Sequence, residues 1–231
     1  MSPIALDGPA VDGNLYTWLT GVAQQAPSWL DGLISAWSTY GLALFAALML
    51  LGWWRARKTG DPHTTATALA APLVVTTAFL ADTGIKSLVR EQRPCQTLHT
   101  LTLEACPPLG DWSFPSNHAA IAAAAATALW LLDRRLAAIA VPAALLMALS
   151  RVWVGAHYPH DVLLGLAVGV CVAWPLTRAA RRAAPLVKRL DSTALRPLVA
   201  PRRTRARSPS RRAGRWSRPC PPPCSGSWPS S

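Results

Sequence analysis

The segment SRVWVGAHYPHD, residues 150–161, joins two apolar runs and places a cation, an imidazole and a carboxylate between them. The two runs have the composition of membrane spans. His157 and Asp161 are four residues apart, so a helix that begins near Pro159 lets the carboxylate reach back to one ring nitrogen. The carboxylate then fixes the tautomer and leaves the other nitrogen able to act as a nucleophile. An ordinary polar connection between two helices is the alternative interpretation.

Two further stretches carry polar residues beside apolar runs. Lys86 is followed seven residues later by the dipeptide RP, residues 93 and 94, at the end of one run. The sequence PSNH, residues 115–118, opens the next run. The cations could be membrane-edge residues, and Ser116 could cap a helix, with or without a part in chemistry.

The three stretches together resemble the type 2 phosphatidic acid phosphatase superfamily. Its pattern is K-x6-RP, then PSGH, then SR-x5-H-x3-D. Every fixed position matches in order and spacing except Asn117, which stands where the family usually has glycine. The resemblance covers about residues 80–170, and it gives no support to the N-terminal segment or the C-terminal tail.

This resemblance implies an all-α fold, a polytopic membrane bundle with a phosphate site at one end. It implies that His157 attacks phosphorus, that Asp161 holds its imidazole, and that His118 protonates the leaving oxygen and then activates water. The implied phosphate-binding residues are Lys86, Arg93, Ser116, Asn117 and Arg151. Because these cations supply the positive charge that magnesium supplies elsewhere, no metal and no other cofactor is expected.

The charge of the chain is divided unevenly. The 231 residues have a formal net charge of +12, but the part from Arg178 onward holds 14 of the 23 Lys and Arg and one of the 11 acids. The remainder is nearly neutral and apolar. This composition is typical of a membrane protein with a basic appendage, and not of a soluble nucleic-acid binder.

Five apolar segments are long enough, or nearly so, to cross the roughly 30 Å hydrocarbon layer of a bilayer. They are residues 32–54, 64–81, 116–132, 136–150 and 161–177. An amphipathic helix is expected before them, because Leu15, Trp18, Leu19 and Val22 recur on one helical stripe. That helix either lies on the membrane surface or packs against the bundle.

Three basic connections, after the first, third and fifth spans, all lie on one side of the expected bundle. They are residues 55–58, 134–135 and 178–182. By the positive-inside rule this side and the C-terminal tail are cytoplasmic, so the motif ends of the spans face outward. If the loop after residue 90 faces an oxidising compartment, Cys95 and Cys106 could form a disulfide, and two free thiols are the alternative.

The expected domains are an N-terminal segment (1–28) with the surface helix, a membrane phosphatase domain (29–180) and a basic tail (181–231). The tail is rich in Arg, Pro and Ser and is expected to be disordered, because it has too little apolar surface to offset the entropy of folding. The N-terminal segment lacks basic residues, so we expect no signal peptide.

The expected function is hydrolysis of a lipid phosphate or polyprenyl diphosphate through a phosphohistidine, at the extracytoplasmic face of the cell membrane. The expected partners are the lipid substrate and the bilayer; no nucleic acid is expected, and the sequence does not indicate the oligomeric state. The alternatives are a lipid phosphotransferase of the same superfamily and a non-enzymatic transporter or scaffold whose charges line a path.

Two polar residues near the motifs lie outside the family pattern. Asp82, one helical turn before Lys86, is expected to pair with it. His160 is expected to be a solvated loop histidine beside the reactive pair.

Overall fold

The structure, a computed structural model, describes residues 7–199, and most of them are helical. The helices are α1 (Gly8–Gln24), α2 (Ser28–Tyr40), α3 (Leu42–Thr59), α4 (Pro62–Leu88), α5 (Pro94–Thr97), α6 (Asn117–Leu132), α7 (Arg134–Trp153), α8 (Pro159–Ala180), α9 (Ala184–Leu190) and α10 (Arg196–Val199). A 3-10 turn, Arg181–Ala183, links α8 to α9. Over this range the predicted all-α fold is confirmed.

The five expected spans all correspond to apolar helices, but they are not equally long. By length and composition α4, α7 and the stretch Pro159–Leu190 can cross a membrane, and α2 with α3 qualifies as a bent pair. At 16 residues α6 is shorter. The prediction of one continuous first span over residues 32–54 is wrong, because α2 and α3 meet at 51°. At the bend the backbone of Gly41 lies so close to α7 that an added Cβ would be 2.7 Å from Met147 Cε.

Helix α6 lies at the centre of the bundle, where it packs against α4, α7 and α8. Its seven alanines between residues 119 and 126 are buried, and such small side chains let helix backbones approach closely. Helix α8 meets α6 through two glycines. A Cβ added at Gly165 would lie 2.5 Å from the carbonyl oxygen of Ser116, and one at Gly169 would lie 2.4 Å from that of Ala120. The glycines therefore bring the first turns of α6 and α8 together.

Helix α1 packs on the bundle through a face that includes Tyr16 and, from its predicted apolar stripe, Leu19. Tyr16 is fully buried and its hydroxyl donates to the carbonyl oxygen of Gly155 at 3.1 Å. Leu15, Trp18 and Val22 are exposed on the other face. The helix thus contacts the protein on one side and presents the other three residues of its apolar stripe outward, as an interfacial helix does.

The first part of the expected disordered tail is helical. Val187 of α9 and Val199 of α10 pack with Ala66 of α4 in a small apolar cluster. The side chain of Trp53 also donates to the carbonyl oxygen of Leu198 at 2.9 Å. The expectation of disorder, which rested on composition, is wrong here because a few apolar residues among the arginines pack against α4. Residues 200–231, the rest of the expected tail, lie outside the described range.

Candidate active site

The three motifs meet at one end of the bundle. Lys86 lies in the last turn of α4, Arg93 directly precedes α5, and Arg151 lies in the last turn of α7. The starts of α6 and α8 are joined there, because the backbone N–H of Ser116 donates to the carbonyl oxygen of Asp161 at 3.1 Å. Each motif therefore contributes to one site.

His157 and Asp161 are buried and face each other at the start of α8. His157 Nδ1 lies 3.4 Å from Asp161 Oδ2. The same oxygen accepts a hydrogen bond from the backbone N–H of Tyr158 at 2.8 Å and another from the hydroxyl of Ser113. The carboxylate thus reaches back over the helix start as the spacing predicts, and Tyr158 and Ser113 fix its position.

The other ring nitrogen of His157, Nε2, lies 3.4 Å from Nη1 of Arg93. His157 is 2% exposed and belongs to the loop between α7 and α8. Burial, together with the positive charges of Arg93 and Lys86, lowers the pKa of His157 well below its ordinary value of 6.5. The ring is therefore neutral near pH 7. With its proton on Nδ1, toward Asp161, the lone pair is on Nε2.

Backbone carbonyls hold two of the predicted phosphate-binding cations. Lys86 Nζ donates to the carbonyl oxygen of Trp112 at 3.0 Å, and Arg93 Nη1 donates to that of Ala156 at 2.9 Å. Arg93 also donates from Nε to the carbonyl oxygen of Asp111 and from Nη2 to its carboxylate, each at 3.0 Å. Carbonyl oxygens orient Lys86 without neutralising it, whereas Arg93 is also paired with the Asp111 carboxylate.

Within residues 7–199 Arg151 donates to side chains and to no backbone carbonyl. Its Nη1 donates to Glu104 Oε1 at 2.9 Å and to the hydroxyl of Ser38. Its Nε, the hydroxyl of Ser116 and the amide oxygen of Asn117 are buried and have no partner within residues 7–199. Buried polar atoms without a partner are rare in folded proteins. All three belong to the predicted phosphate site, where phosphate oxygens can accept from the Nε–H of Arg151 and the hydroxyl of Ser116, whereas the amide oxygen of Asn117 needs a donor such as a protonated phosphate oxygen.

His118 lies in the first turn of α6 and is half-buried. Ser116 occupies the N-cap position of that helix, but its side chain makes no capping bond. The side chain of Ser116 therefore does not cap α6. The hydroxyl and the nearby imidazole are both left to interact with other groups at this end of the bundle.

The expectation that His160 is a solvated loop histidine is wrong. Its ring is 17% exposed and lies between two carboxylates, with Nδ1 2.8 Å from Asp12 Oδ1 and Nε2 3.0 Å from Glu91 Oε1. The ring also stacks on Tyr158. Asp12 belongs to α1 and is 148 residues from His160 in the sequence. Helix α1 therefore covers a histidine that was expected to be exposed in a loop. Both ring nitrogens face acceptors, so the geometry favours the imidazolium form.

Glu91, His160 and Asp161 also offer ligand atoms within 4.8 Å of one another, the spacing of a possible metal site. Glu91 and His160 are 69 residues apart in the sequence, so no local pattern indicates this group. Because His160 already bonds to Glu91 and Asp12, the cluster is explained as an ion-pair network.

The expected pairing of Asp82 with Lys86 is not observed. Asp82 is fully buried, and neither carboxylate oxygen has a hydrogen-bond partner among residues 7–199. The amine of Lys86 points instead toward the carbonyl oxygens of Trp112 and Ser113. One helical turn of spacing allowed the pair, but the loop before α6 offers the amine better acceptors.

Sequence reasoning missed the contribution of the loop between α5 and α6. Cys106 of this loop forms a disulfide with Cys95 of α5, which decides between the two alternatives left open. Ser113, Glu104 and Asp111 come from the same loop and bond to Asp161, Arg151 and Arg93 respectively. The only sequence feature that could have drawn attention to Ser113 is its place three residues before the motif residue Ser116. No local sequence pattern indicated a contact for Glu104 or Asp111.

Comparison with known proteins gives a consistent result. The family model of the PAP2 superfamily matches residues 65–184. Undecaprenyl-diphosphatase BcrC of Bacillus subtilis strain 168 is 30% identical over 160 residues, which are 68% of this chain and 79% of that protein. A decaprenylphosphoryl-5-phosphoribose phosphatase of Mycobacterium tuberculosis is 42% identical over 90 residues, 38% of this chain and 47% of that protein. The crystal structure of a PAP2-type phosphatidylglycerolphosphate phosphatase from Bacillus subtilis has a TM-score of 0.50 at 21% identity, over 74% of this chain and 86% of that one.

The helical bundle and its polar end define a membrane-embedded phosphatase. The family match covers more than half of the chain, and the chain belongs to the PAP2 superfamily. The second relative is matched over about half its length, so its substrate is no guide to the whole of this protein.

Proposed function

We propose that this protein hydrolyses a lipid phosphate or polyprenyl diphosphate, with His157 as the nucleophile. The observation that carries the proposal is a buried imidazole held between a carboxylate and a guanidinium. His157 Nδ1 lies 3.4 Å from Asp161, and Nε2 lies 3.4 Å from Arg93. A nitrogen with a lone pair is thereby fixed beside a group that binds phosphate oxygens.

In the first step, Nε2 of His157 forms a bond to phosphorus while the bond from phosphorus to the leaving oxygen breaks. His118 donates a proton to that oxygen, and Asp161 stabilises the positive charge that develops on the His157 ring. Lys86, Arg93 and Arg151 stabilise the negative charge on the three equatorial oxygens. The product is a phosphohistidine and a free lipid alcohol, or a lipid monophosphate if the substrate is a diphosphate.

In the second step, His118 accepts a proton from water, whose oxygen attacks phosphorus as the bond to His157 breaks. Inorganic phosphate leaves and both histidines return to their starting state. No step needs a metal ion, because side-chain cations supply the positive charge at each stage.

A lipid substrate is supported by an apolar groove between α2 and α7, with a volume of about 460 Å³. It is lined by Leu33, Ile34, Trp37, Leu146, Leu149, Ser150 and Trp153. Ser150, which lines the groove, directly precedes the predicted phosphate-binding residue Arg151 in α7. Undecaprenyl-diphosphatase BcrC, of which this chain covers 79%, acts on a polyprenyl diphosphate by its name. Polyprenyl diphosphate is the leading candidate.

An extracytoplasmic site is supported by residues at the opposite end of the bundle. There, arginines stack on tryptophans in three separate pairs, Arg57 on Trp54, Arg134 on Trp130 and Arg178 on Trp174. Tryptophan is enriched at both membrane interfaces, and an excess of arginine is typical of the cytoplasmic one. The disulfide between Cys95 and Cys106 lies at the site end, and disulfides persist in oxidising compartments.

The test is phosphate release by purified protein from an undecaprenyl diphosphate and a phosphatidic acid in detergent. We expect His157→Ala to remove turnover and His63→Ala, at an exposed residue of the other end of α4, to retain it. The phosphoenzyme should be trapped from a labelled substrate under alkaline quench in the parent and not in His157→Ala. Near-normal release by His157→Ala would disprove the proposed nucleophile.

His118→Ala distinguishes the two roles of His118. With nitrophenyl phosphate, whose leaving group needs no proton, the first step should proceed and the phosphoenzyme should accumulate because the water is not activated. With a lipid phosphate both steps should fail. Release that depends strictly on an added lipid acceptor would indicate a phosphotransferase, and no release from any lipid phosphate would favour a transporter or scaffold.

A further inference from the structure

Within residues 7–199 Arg151 donates to side chains alone, whereas Arg93 donates to one carboxylate and two backbone carbonyls. Arg151 is 7% exposed, and its Nη1 donates to Glu104 Oε1 at 2.9 Å and to the hydroxyl of Ser38. Ser38 in turn donates to the same Glu104 oxygen at 2.8 Å. One corner of the guanidinium is thus fixed by a carboxylate and a hydroxyl that are themselves bonded.

The remaining donors of Arg151 are placed by this contact. A guanidinium is planar, and its Nε–H and one Nη2–H form a second fork on the side away from Nη1. Nε is buried and has no partner within residues 7–199. Fixing Nη1 therefore fixes the direction of a fork that has the geometry to bind two phosphate oxygens.

Hydrogen bonds of the loop backbone hold Glu104 in position. The N–H groups of Leu103 and Glu104 both donate to the carbonyl oxygen of Val154, at 3.2 and 3.4 Å. The hydroxyl of Thr102 donates to the carbonyl oxygen of Glu104 at 2.6 Å. Gly155, with φ of 81°, lets Thr102 approach, because a Cβ there would lie 2.5 Å from Thr102 Cγ2.

We propose that Glu104 is a positioning residue for the phosphate-transfer reaction, one that holds Nη1 of Arg151 so that its Nε–Nη2 fork is presented to the phosphate. The inference rests on the proposed function and deepens it. Glu104 does not touch the substrate and acts through Arg151. Ser38 shares the role from α2, which lies outside the part of the chain that matches the family model.

The alternative use of such a carboxylate is to block the site by competing with phosphate for Arg151. The two roles predict opposite effects of removing it. A positioning carboxylate makes phosphate binding stronger, so its loss weakens binding. A blocking carboxylate makes binding weaker, so its loss strengthens it.

The experiment compares Glu104→Ala, Glu104→Gln and the control Leu101→Ala, which changes an exposed residue of the same loop. Kinetics are measured on a lipid phosphate, and orthovanadate binding is measured at equilibrium. We expect Glu104→Ala to lower kcat/KM and vanadate affinity by roughly 10-fold, the size expected for a hydrogen bond to a charged group. Glu104→Gln keeps an oxygen acceptor and should recover most of the loss. Leu101→Ala should match the parent.

Ser38→Ala removes the second acceptor and should act in the same direction as Glu104→Ala, with a smaller loss. Non-reducing mass analysis of the disulfide and gel filtration show that each variant is folded. Tighter vanadate binding by Glu104→Ala, unchanged constants, or a Glu104→Gln variant as impaired as Glu104→Ala would each overturn the proposal. If the parent binds vanadate but releases no phosphate from lipids, the proposed function fails while the binding comparison still decides the role of Glu104.

Discussion

The neutral state of His157 is a property that can be measured directly. Burial and the charges of Arg93 and Lys86 disfavour the protonated ring in the folded protein, which lowers the pKa of His157 below 6.5. As pH falls through 6.5, a histidine model compound gains its proton and His157 does not. We expect the Cε1 carbon signal of His157 in NMR spectra to stay unshifted between about pH 8 and about pH 6, where the model compound titrates.

The signal is assigned by its loss in His157→Gln, and N-acetylhistidine amide in the same tube serves as reference. Titration of the His157 signal at or above the reference would contradict the neutral nucleophile. A neutral ring is needed because the protonated ring has no lone pair to attack phosphorus.

The motif residues could be predicted from the sequence, whereas their supporting contacts could not. The spacing of His157 and Asp161 on a helix start sets their contact locally, and it is present. Glu104 meets Arg151 across 47 residues, and Asp12 meets His160 across 148. Such pairs depend on how loops and helices pack, and no local pattern encodes that packing.

The contact between α6 and α8 gives a prediction about stability. Gly169→Ala would place a Cβ 2.4 Å from the carbonyl oxygen of Ala120, and backbone cannot move aside as a flexible side chain can. We expect the substitution to destabilise the protein by about 1–3 kcal/mol, the usual cost of overpacking. The measurement is the thermal midpoint in detergent.

Gly84→Ala is the matched control, because Gly84 is also within a spanning helix and a Cβ there meets nothing within 4 Å. Alanine favours helix over glycine, so this variant should match or slightly exceed the parent. Equal midpoints for the two variants would show that α6 and α8 are less closely packed than described.

The place of the apolar helices followed from hydropathy and length, but their number and directions did not, because the first expected span is two helices. An apolar segment over residues 32–54 carries no mark of the 51° bend, which arises where Gly41 meets α7. The short α9 and α10 were missed for the opposite reason. Their few apolar residues are diluted by arginine in the sequence, yet they lie together on α4.

The orientation of the whole molecule gives a prediction for intact cells. Leu101 lies in the loop at the site end and is 82% exposed, whereas Arg135 is exposed at the start of α7, at the other end. If the basic end is cytoplasmic, Leu101→Cys should react with an impermeant thiol reagent and Arg135→Cys should react only after the cells are opened. Total labelling in lysed cells controls for expression.

The native thiols need treatment before this measurement. Cys95 and Cys106 are bridged and so do not react, but Cys171, Cys220 and Cys224 are replaced by serine. Labelling of Arg135→Cys alone on intact cells would place the site in the cytoplasm. The substrates would then be lipids of the inner leaflet.

The contacts of Ser38 and Asp12 bear on how this protein can be divided or recombined. Residues 65–184 contain every motif residue, so a hybrid that grafts this stretch onto a relative's N-terminal half would keep the full reactive set. It would lose one hydroxyl that bonds to Arg151 and one carboxylate that bonds to His160. The bounds of the family match are therefore not the bounds of the contacts around the site, and an exchange that keeps these contacts has to carry α1 and α2 along with the matched stretch.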